Sequence, residues 1–264
     1  MTCIKTLLLL LPLMAFCNAT YADSWTITQS TSATSSSTTI LQEGSSAGAV
    51  QAVNSINLNG LNSTVNDGSS QQFNGGENNL TLRQHNGTTS SIQAINRVYA
   101  HTINGLTQGA RLVGGPQNLT FDQASNIGNS NTQSLNDATT SVTGTINKLA
   151  QSVLDTATVT MQMTQSAGTQ NVQAGNLIKT GELSSTSGDV SQTVRIGIVK
   201  QVQSNTSQSI QSGNALVTLG GSTATGGTLT QSFEGSSFGF LGFTFTQTSV
   251  SNSVQARNYA GEAL

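Results

Sequence analysis

The stretch SSIQAINRV, residues 90 to 98, reads as a strand with two amides in awkward places. Its skeleton recurs along the chain: GAVQAVNSI from 48, NTQSLNDA from 131, NVQAGNLI from 171, SIQSGNAL from 209 and SVQARNYA from 253. Aligned on the glutamine, the copies stand at Gln51, Gln93, Gln133, Gln173, Gln211 and Gln255, with intervals of 42, 40, 40, 38 and 44 residues. A period near forty means an array whose units stack on one another and share one core.

Each copy follows an apolar alternation that ends in a second glutamine: TILQ to Gln42, LTLRQ to Gln84, LTFDQ to Gln123, VTMQMTQ to Gln165, IVKQVQ to Gln203 and FTFTQ to Gln247. The second glutamine follows the first by 8 to 10 positions, and the residues between them are rich in Gly, Ser, Thr and Asn. Two period-two runs joined by such a gap read as strand, turn and strand. A weaker glutamine earlier in each unit, at Gln29, Gln72, Gln108, Gln151, Gln192 and Gln231, marks a further strand, so that a unit holds up to four. Helix signals are poor, and only SVTGTINKLAQSVLD, 141 to 155, invites a helical reading. The expected fold is all-β: a β-solenoid of six repeats of about forty residues with inward Gln and Asn ladders. Whether one repeat makes one solenoid rung or two stays open.

Alternation assigns faces. Leu80, Leu82 and Gln84 share one face, as do Leu119, Phe121 and Gln123, while the phase of Gln203 holds Gly197 and Val199 and does not decide. In the second strand Ile92, Ala94, Asn96 and Val98 are expected on one inward face. A buried amide without a partner costs on the order of 1–3 kcal/mol. Layers stacked at about 4.8 Å let each amide bond its equivalent above and below. Two ladders are therefore expected: Gln42, Gln84, Gln123, Gln165, Gln203 and Gln247 in one, and Asn54, Asn96, Asn136, Asn176, Asn214 and Asn258 in the other.

Residues 1–22, MTCIKTLLLLLPLMAFCNATYA, read as a secretory signal peptide cut after Ala22 or Ala19. The apolar run is shorter than the ~20 residues a spanning helix needs, and no spanning segment is expected after its removal. Both cysteines, Cys3 and Cys17, lie in this leader, and Phe16 before Cys17 argues against lipid attachment. Residues 23–264 are expected to form a single repeat domain, exported without disulfides. Charged residues make up 8% of the chain and the net charge is −2, which leaves no electrostatic footprint for nucleic acid.

TLRQHNGTTSSIQAIN and VTMQMTQSAGTQNVQAGN resemble the repeats of curlin, the subunit of curli amyloid fibres. That resemblance lies in the repeat logic of the whole mature chain, with a longer unit here. It implies export across an outer membrane, with secretion and assembly factors there as partners, and self-association or co-assembly with related fibre subunits. A cell-surface or extracellular location in fibre or biofilm matrix follows from the same resemblance.

No catalytic, cofactor or metal site is expected. His85 and His101 have no Cys, Asp or Glu at metal-ligand spacing. The carboxylates Asp67, Glu77, Asp122, Asp137, Asp155, Glu182, Asp189 and Glu234 do not recur in phase. GGSTATGG, 220 to 227, lacks the Lys-Ser/Thr of a phosphate loop. The aromatic run SFGFLGFTF, 237 to 245, suits a terminal cap or a docking surface. The expected function is that of a secreted structural protein, a self-assembling fibre, matrix or adhesin component and not an enzyme. The alternative is a carbohydrate-binding or polysaccharide-cleaving β-helix.

Overall fold

The computed structural model describes residues 24–33, 38–42, 47–75, 79–84, 89–112, 117–123, 129–155, 159–184, 189–219, 228–235 and 242–262. The leader, His85, Glu77, the 220–227 loop and residues 237–241 of the aromatic run lie outside them. Regular structure among the described residues is strand throughout, and every strand pair is parallel. Three sheets run the length of the molecule. Sheet I stacks Thr28–Ala33, Ser69–Gly75, Leu106–Leu112, Leu149–Asp155, Val190–Ile196 and Leu229–Gly235. Sheet II stacks Thr38–Gln42, Leu80–Gln84, Gln117–Gln123, Val159–Thr169, Ile198–Ser207 and Gly242–Thr248. Sheet III stacks Val50–Asn57, Ile92–Ile103, Thr132–Ile146, Val172–Thr180, Ile210–Thr218 and Val254–Glu262.

The fold is therefore the expected β-solenoid. Each repeat gives one strand to each sheet and makes a single rung, so the six rungs span roughly 6 × 4.8 ≈ 29 Å. A short fourth ladder continues sheet III through Ser24–Trp25, Thr64–Val65, the ends of the second and third rungs, and Glu182–Leu183. The stretch 141–155 is strand, in Thr132–Ile146 and Leu149–Asp155, because its Ile146, Leu149 and Val153 fill lumen columns set by the neighbouring rungs.

The turn from sheet II to sheet III uses one backbone device in every rung. Gly48, Ser90, Ser130, Gln170, Gln208 and Asn252 all have φ between 47° and 66°, three residues ahead of the sheet-III glutamine. This left-handed conformation costs roughly 1–2 kcal/mol for a residue with a Cβ. It holds because the amide N–H of Ser90, Ser130, Gln170 and Gln208 donates to a carbonyl of the next rung at 2.8–2.9 Å.

Sheet III then bends. Residues on either side of Ile95, Leu135 and Gly175 pair in register, but these three residues, with Val53 and Gly213 in the same column, have no ladder partner. A residue left out of the ladder on each strand switches the inward phase, so side chains three apart both face the lumen. The consequence overturns part of the face assignment: Gln93 and Asn96 both point inward, while Ala94 lies on the outer side with the residues equivalent to Ala174 and Leu177. Side-chain volumes compensate across the lumen at this bend. Ile95 and Leu135 fill the lumen core in this column, whereas Gly175 lies against Val194 and Gly213 accommodates Phe233.

A Cβ at Gly213 would sit 2.0 Å from Phe233 Cδ2. Gly213→Ala is expected to destabilise the fold by ~1–3 kcal/mol in chemical denaturation. Combining it with Phe233→Ala should recover part of that loss in a double-mutant cycle; strict additivity would refute the packing assignment.

Candidate functional site: amide ladders and the end faces

Four amide ladders line the lumen. In sheet II, Gln84 Nε2 donates to Gln42 Oε1 at 3.2 Å, and Gln123, Gln165, Gln203 and Gln247 each donate to the preceding member at 2.8–3.1 Å. In sheet III the asparagines run the other way: Asn54, Asn96, Asn136, Asn176 and Asn214 each donate to the Oδ1 of the following member at 2.8–2.9 Å, ending on Asn258. All twelve amides expected to form ladders therefore bond their equivalents, including Gln203, whose phase the sequence leaves open.

Two further ladders were not expected as such. Gln93, Gln133, Gln173, Gln211 and Gln255 donate to the preceding sheet-III glutamine at 2.8–2.9 Å, beginning at Gln51. In sheet I the chain of donors is Gln71, Gln108, Gln151, Gln192 and Gln231, beginning at Gln29, at 2.7–2.8 Å. The second-rung member is Gln71 and not Gln72. Phe73 is buried and alternation puts it on the face of Gln71, so the slip was readable from the neighbouring phenylalanine. A fifth polar column follows the left-handed turn. The backbone N–H of Ser91, Asn131, Asn171 and Ser209 each donates to a side-chain oxygen of the next rung, on Asn131, Asn171, Ser209 and Ser253 respectively.

In the sheet-I and sheet-III ladders the second N–H of the middle-rung amides goes to a main-chain carbonyl across the lumen. Gln93, Gln133 and Gln173 reach Asp122, Thr164 and Val202 in sheet II, and Asn96, Asn136 and Asn176 reach Gly109, Ser152 and Thr193 in sheet I. A carbonyl accepts only from the amide nitrogen, so this second bond decides which way round each carboxamide sits. Ladder direction is thereby tied to the backbone.

The ladders end in chemically opposite faces. At the C-terminal end, among the described residues, no donor reaches the Oε1 atoms of Gln231, Gln247 and Gln255, and Asn258 uses one N–H on Gln231 O at 3.4 Å. At the N-terminal end Gln29 spends one N–H on Ser55 O, Gln51 spends both of its own on Ile40 O at 3.2 Å and Arg83 O at 3.0 Å, and Thr31 Oγ1 donates to Asn54 Oδ1 at 2.7 Å in the place of a preceding asparagine. Trp25, Leu41 and Val50 are exposed in that first layer. One face is thus rich in amide acceptors with an asparagine donor, and the other carries N–H groups of Gln29 and Gln42 with an asparagine acceptor.

Outside the lumen, the bend makes the outer face of sheet III concave. Lys179 pairs in register with Thr139, seven positions beyond Thr132, about 23 Å along a straight strand. Yet Lys179 Nζ donates to Thr132 Oγ1 at 2.7 Å, so the two arms fold toward each other. Val172, Ala174, Leu177, Ile210, Ala215 and Val217 pack there as a second, minor core. Asp137 is buried beside them, its Oδ1 accepting from Thr139 at 2.7 Å and its Oδ2 without a partner. Burial raises its carboxyl above the ordinary 3.8, outweighing the pull of Arg97, Thr139 and Lys179.

His101 Nδ1 lies 2.9 Å from Ser141 Oγ, and no metal-ligating group of three occurs among the described residues. Asp67 and Asp189 share a cleft of about 520 Å³ with Lys148, which pairs with Asp67 at 3.2 Å. They sit in the second and fifth rungs, roughly 3 × 4.8 ≈ 14 Å apart, beyond the ~5–9.5 Å of a glycosidase carboxylate pair. No helix of the described residues is long and apolar enough to cross a membrane. No family model, curated protein or solved structure matches the chain.

Two variants separate a laddered amide from a lone one. Asn136→Leu strands Asn176 Oδ1, Ser152 O and an Asn96 N–H, and is expected to cost several kcal/mol at ~1–3 kcal/mol per orphaned group. Gln201 stands alone in an apolar column with Oε1 unpaired, donating to Ser212 O at 3.1 Å, so Gln201→Met should change stability by at most ~1 kcal/mol. Equal losses in urea melts would contradict the ladder account. A third variant tests Asp137. Because its folded carboxyl lies above 3.8, protonation favours the fold below that value, and the benefit is lost as pH rises through the folded value. Asp137→Asn should match the parent at pH 3 and exceed it at pH 7; a less stable variant at pH 7 would show that the ionised carboxylate supports the fold.

Proposed function

We propose that the protein is an exported structural subunit that adds copies of itself head to tail through its end faces, building an extracellular fibre or matrix. The observation that carries this reading is that three parallel sheets and four amide ladders run without interruption to both ends. The outer edges of Leu229–Gly235, Gly242–Thr248 and Val254–Glu262 have no strand beyond them among the described residues. Unpaired edge strands recruit further strands through main-chain hydrogen bonds.

Ladder direction selects the orientation. Placing the C-terminal face of one copy on the N-terminal face of the next puts the Gln231 and Gln247 oxygens against the N–H groups of Gln29 and Gln42 and the Asn258 N–H against the Asn54 oxygen, while the Gln255 oxygen takes the Gln51 N–H from Ile40 O. Joining two C-terminal faces sets oxygen against oxygen in three ladders at once, and joining two N-terminal faces sets the N–H groups of Gln29 and Gln42 against each other, which disfavours both contacts. A heterologous contact of this kind does not close on itself and continues as a filament. Low charge, 8% of residues with a net −2, leaves little repulsion between copies. The resemblance to curlin repeats points to the same use, with outer-membrane secretion and assembly factors as accessory partners.

The test is assembly of the chain without residues 1–22. It should form thioflavin-binding filaments with a concentration-dependent lag, visible by electron microscopy. Gln247→Lys combined with Gln255→Lys, in the terminal rung, should keep the strand signal and stay monomeric, while Leu61→Lys on the flank should assemble like the parent. A parent chain that remains monomeric at every concentration and binds a glycan would overturn the proposal in favour of a carbohydrate-binding β-helix.

A further inference from the structure

Lys179 stands apart from the other described lysines. Lys148 and Lys200 are exposed, whereas Lys179 is half-buried inside the fold of sheet III. A cavity of about 190 Å³ opens beside it, walled by Val172, Ile210, Val217 and Leu219, with Ser130 and Gln170 at its rim. Cavities of about this size hold a benzene-sized guest. The walls offer apolar contact and the single ionisable group lining the cavity is the amine.

Two features make that amine a nucleophile. Burial holds it below its ordinary 10.5, against Asp137, which pulls upward, while Arg97 adds to the lowering. Asp137 and Arg97 are the charged groups that act on it. A lysine desolvated in this way carries more of the neutral, reactive form at pH 7. Thr132 Oγ1 accepts a hydrogen from Nζ at 2.7 Å and fixes its position without using the nitrogen lone pair.

We propose that this cavity takes a small apolar aldehyde and that Lys179 captures it as an imine. The Nζ lone pair adds to the carbonyl carbon, and a proton passes from nitrogen to the former carbonyl oxygen. That oxygen leaves as water while the C=N bond forms. Amine and aldehyde give imine and water, with no change of oxidation state. Thr132 is a positioning residue. The site lies on the flank of the column, so it is independent of end-face assembly.

The intact protein is incubated at pH 7 with hexanal and cyanoborohydride, which reduces any imine to a stable secondary amine, and alkylation is mapped by peptide mass spectrometry. Alkylation is expected several-fold faster at Lys179 than at Lys148 and Lys200, although those two are more accessible. The advantage should vanish in urea, and Lys179→Arg should leave the rates at Lys148 and Lys200 unchanged. Glyoxylate, a charged aldehyde, should show no preference for Lys179. Modification of Lys179 no faster than of the exposed lysines in the folded protein, or equal preference with glyoxylate and hexanal, would overturn the assignment.

Discussion

A primary amide buried in an apolar lumen must find partners for two hydrogens and an oxygen, or destabilise the fold by ~1–3 kcal/mol for each group left over. This chain places four laddered amides in each of its six rungs. No single rung contains the partners they need, because each carboxamide oxygen looks along the axis and not across it. The partner is the same residue one layer away. From that requirement follow the forty-residue repeat, the parallel sheets and the in-register pairing of Gln with Gln and Asn with Asn. A rung shifted by one residue would break every ladder together, so the amides fix register more tightly than the aliphatic columns between them.

The direction of the ladders is a second consequence. Because one N–H of the middle-rung carboxamides is committed to a main-chain carbonyl, across the lumen or at the adjoining turn, the other N–H points along the axis in a fixed sense. Three ladders point toward the N-terminal face and the asparagine ladder toward the C-terminal face. The column thus has chemically distinct ends, and its own capping is confined to the N-terminal one: Thr31 covers Asn54 and Ile40 O takes a Gln51 N–H, and nothing comparable among the described residues covers Gln247 or Gln255. Self-assembly is the use that this asymmetry serves best.

Much of this was readable from the sequence. The period, the strand character, the sheet-II glutamines and the asparagines all follow from recurrence and alternation. The sheet-III glutamine was the hard case. Ile92, Ala94, Asn96 and Val98 alternate cleanly, so a straight strand turns Gln93 outward, and only the unpaired residue at Ile95 brings it in. Nothing local at that column marks the bend, since Val53, Ile95, Leu135, Gly175, Gly213 and Arg257 share no chemistry. Their sizes are set by what lies opposite, as Gly213 is by Phe233. The outer core was hidden for the same reason. Arg97, Asp137 and Lys179 look like scattered surface charges until the bend folds the strand over them.

The bend therefore gives the repeat two interiors, a lumen governed by amide pairing and a smaller outer core that holds its charges individually. The most direct measurement on the first is hydrogen exchange of the side-chain NH₂ groups, followed by NMR on isotope-labelled protein. Carboxamides of the middle rungs, such as Gln123, Gln133, Asn136 and Gln151, should exchange orders of magnitude more slowly than free amides, with faster exchange confined to terminal members such as Gln247, Gln255 and Asn258. Uniform exchange at the free-amide rate through every rung would mean that the carboxamides are not bonded to one another, and would contradict the account.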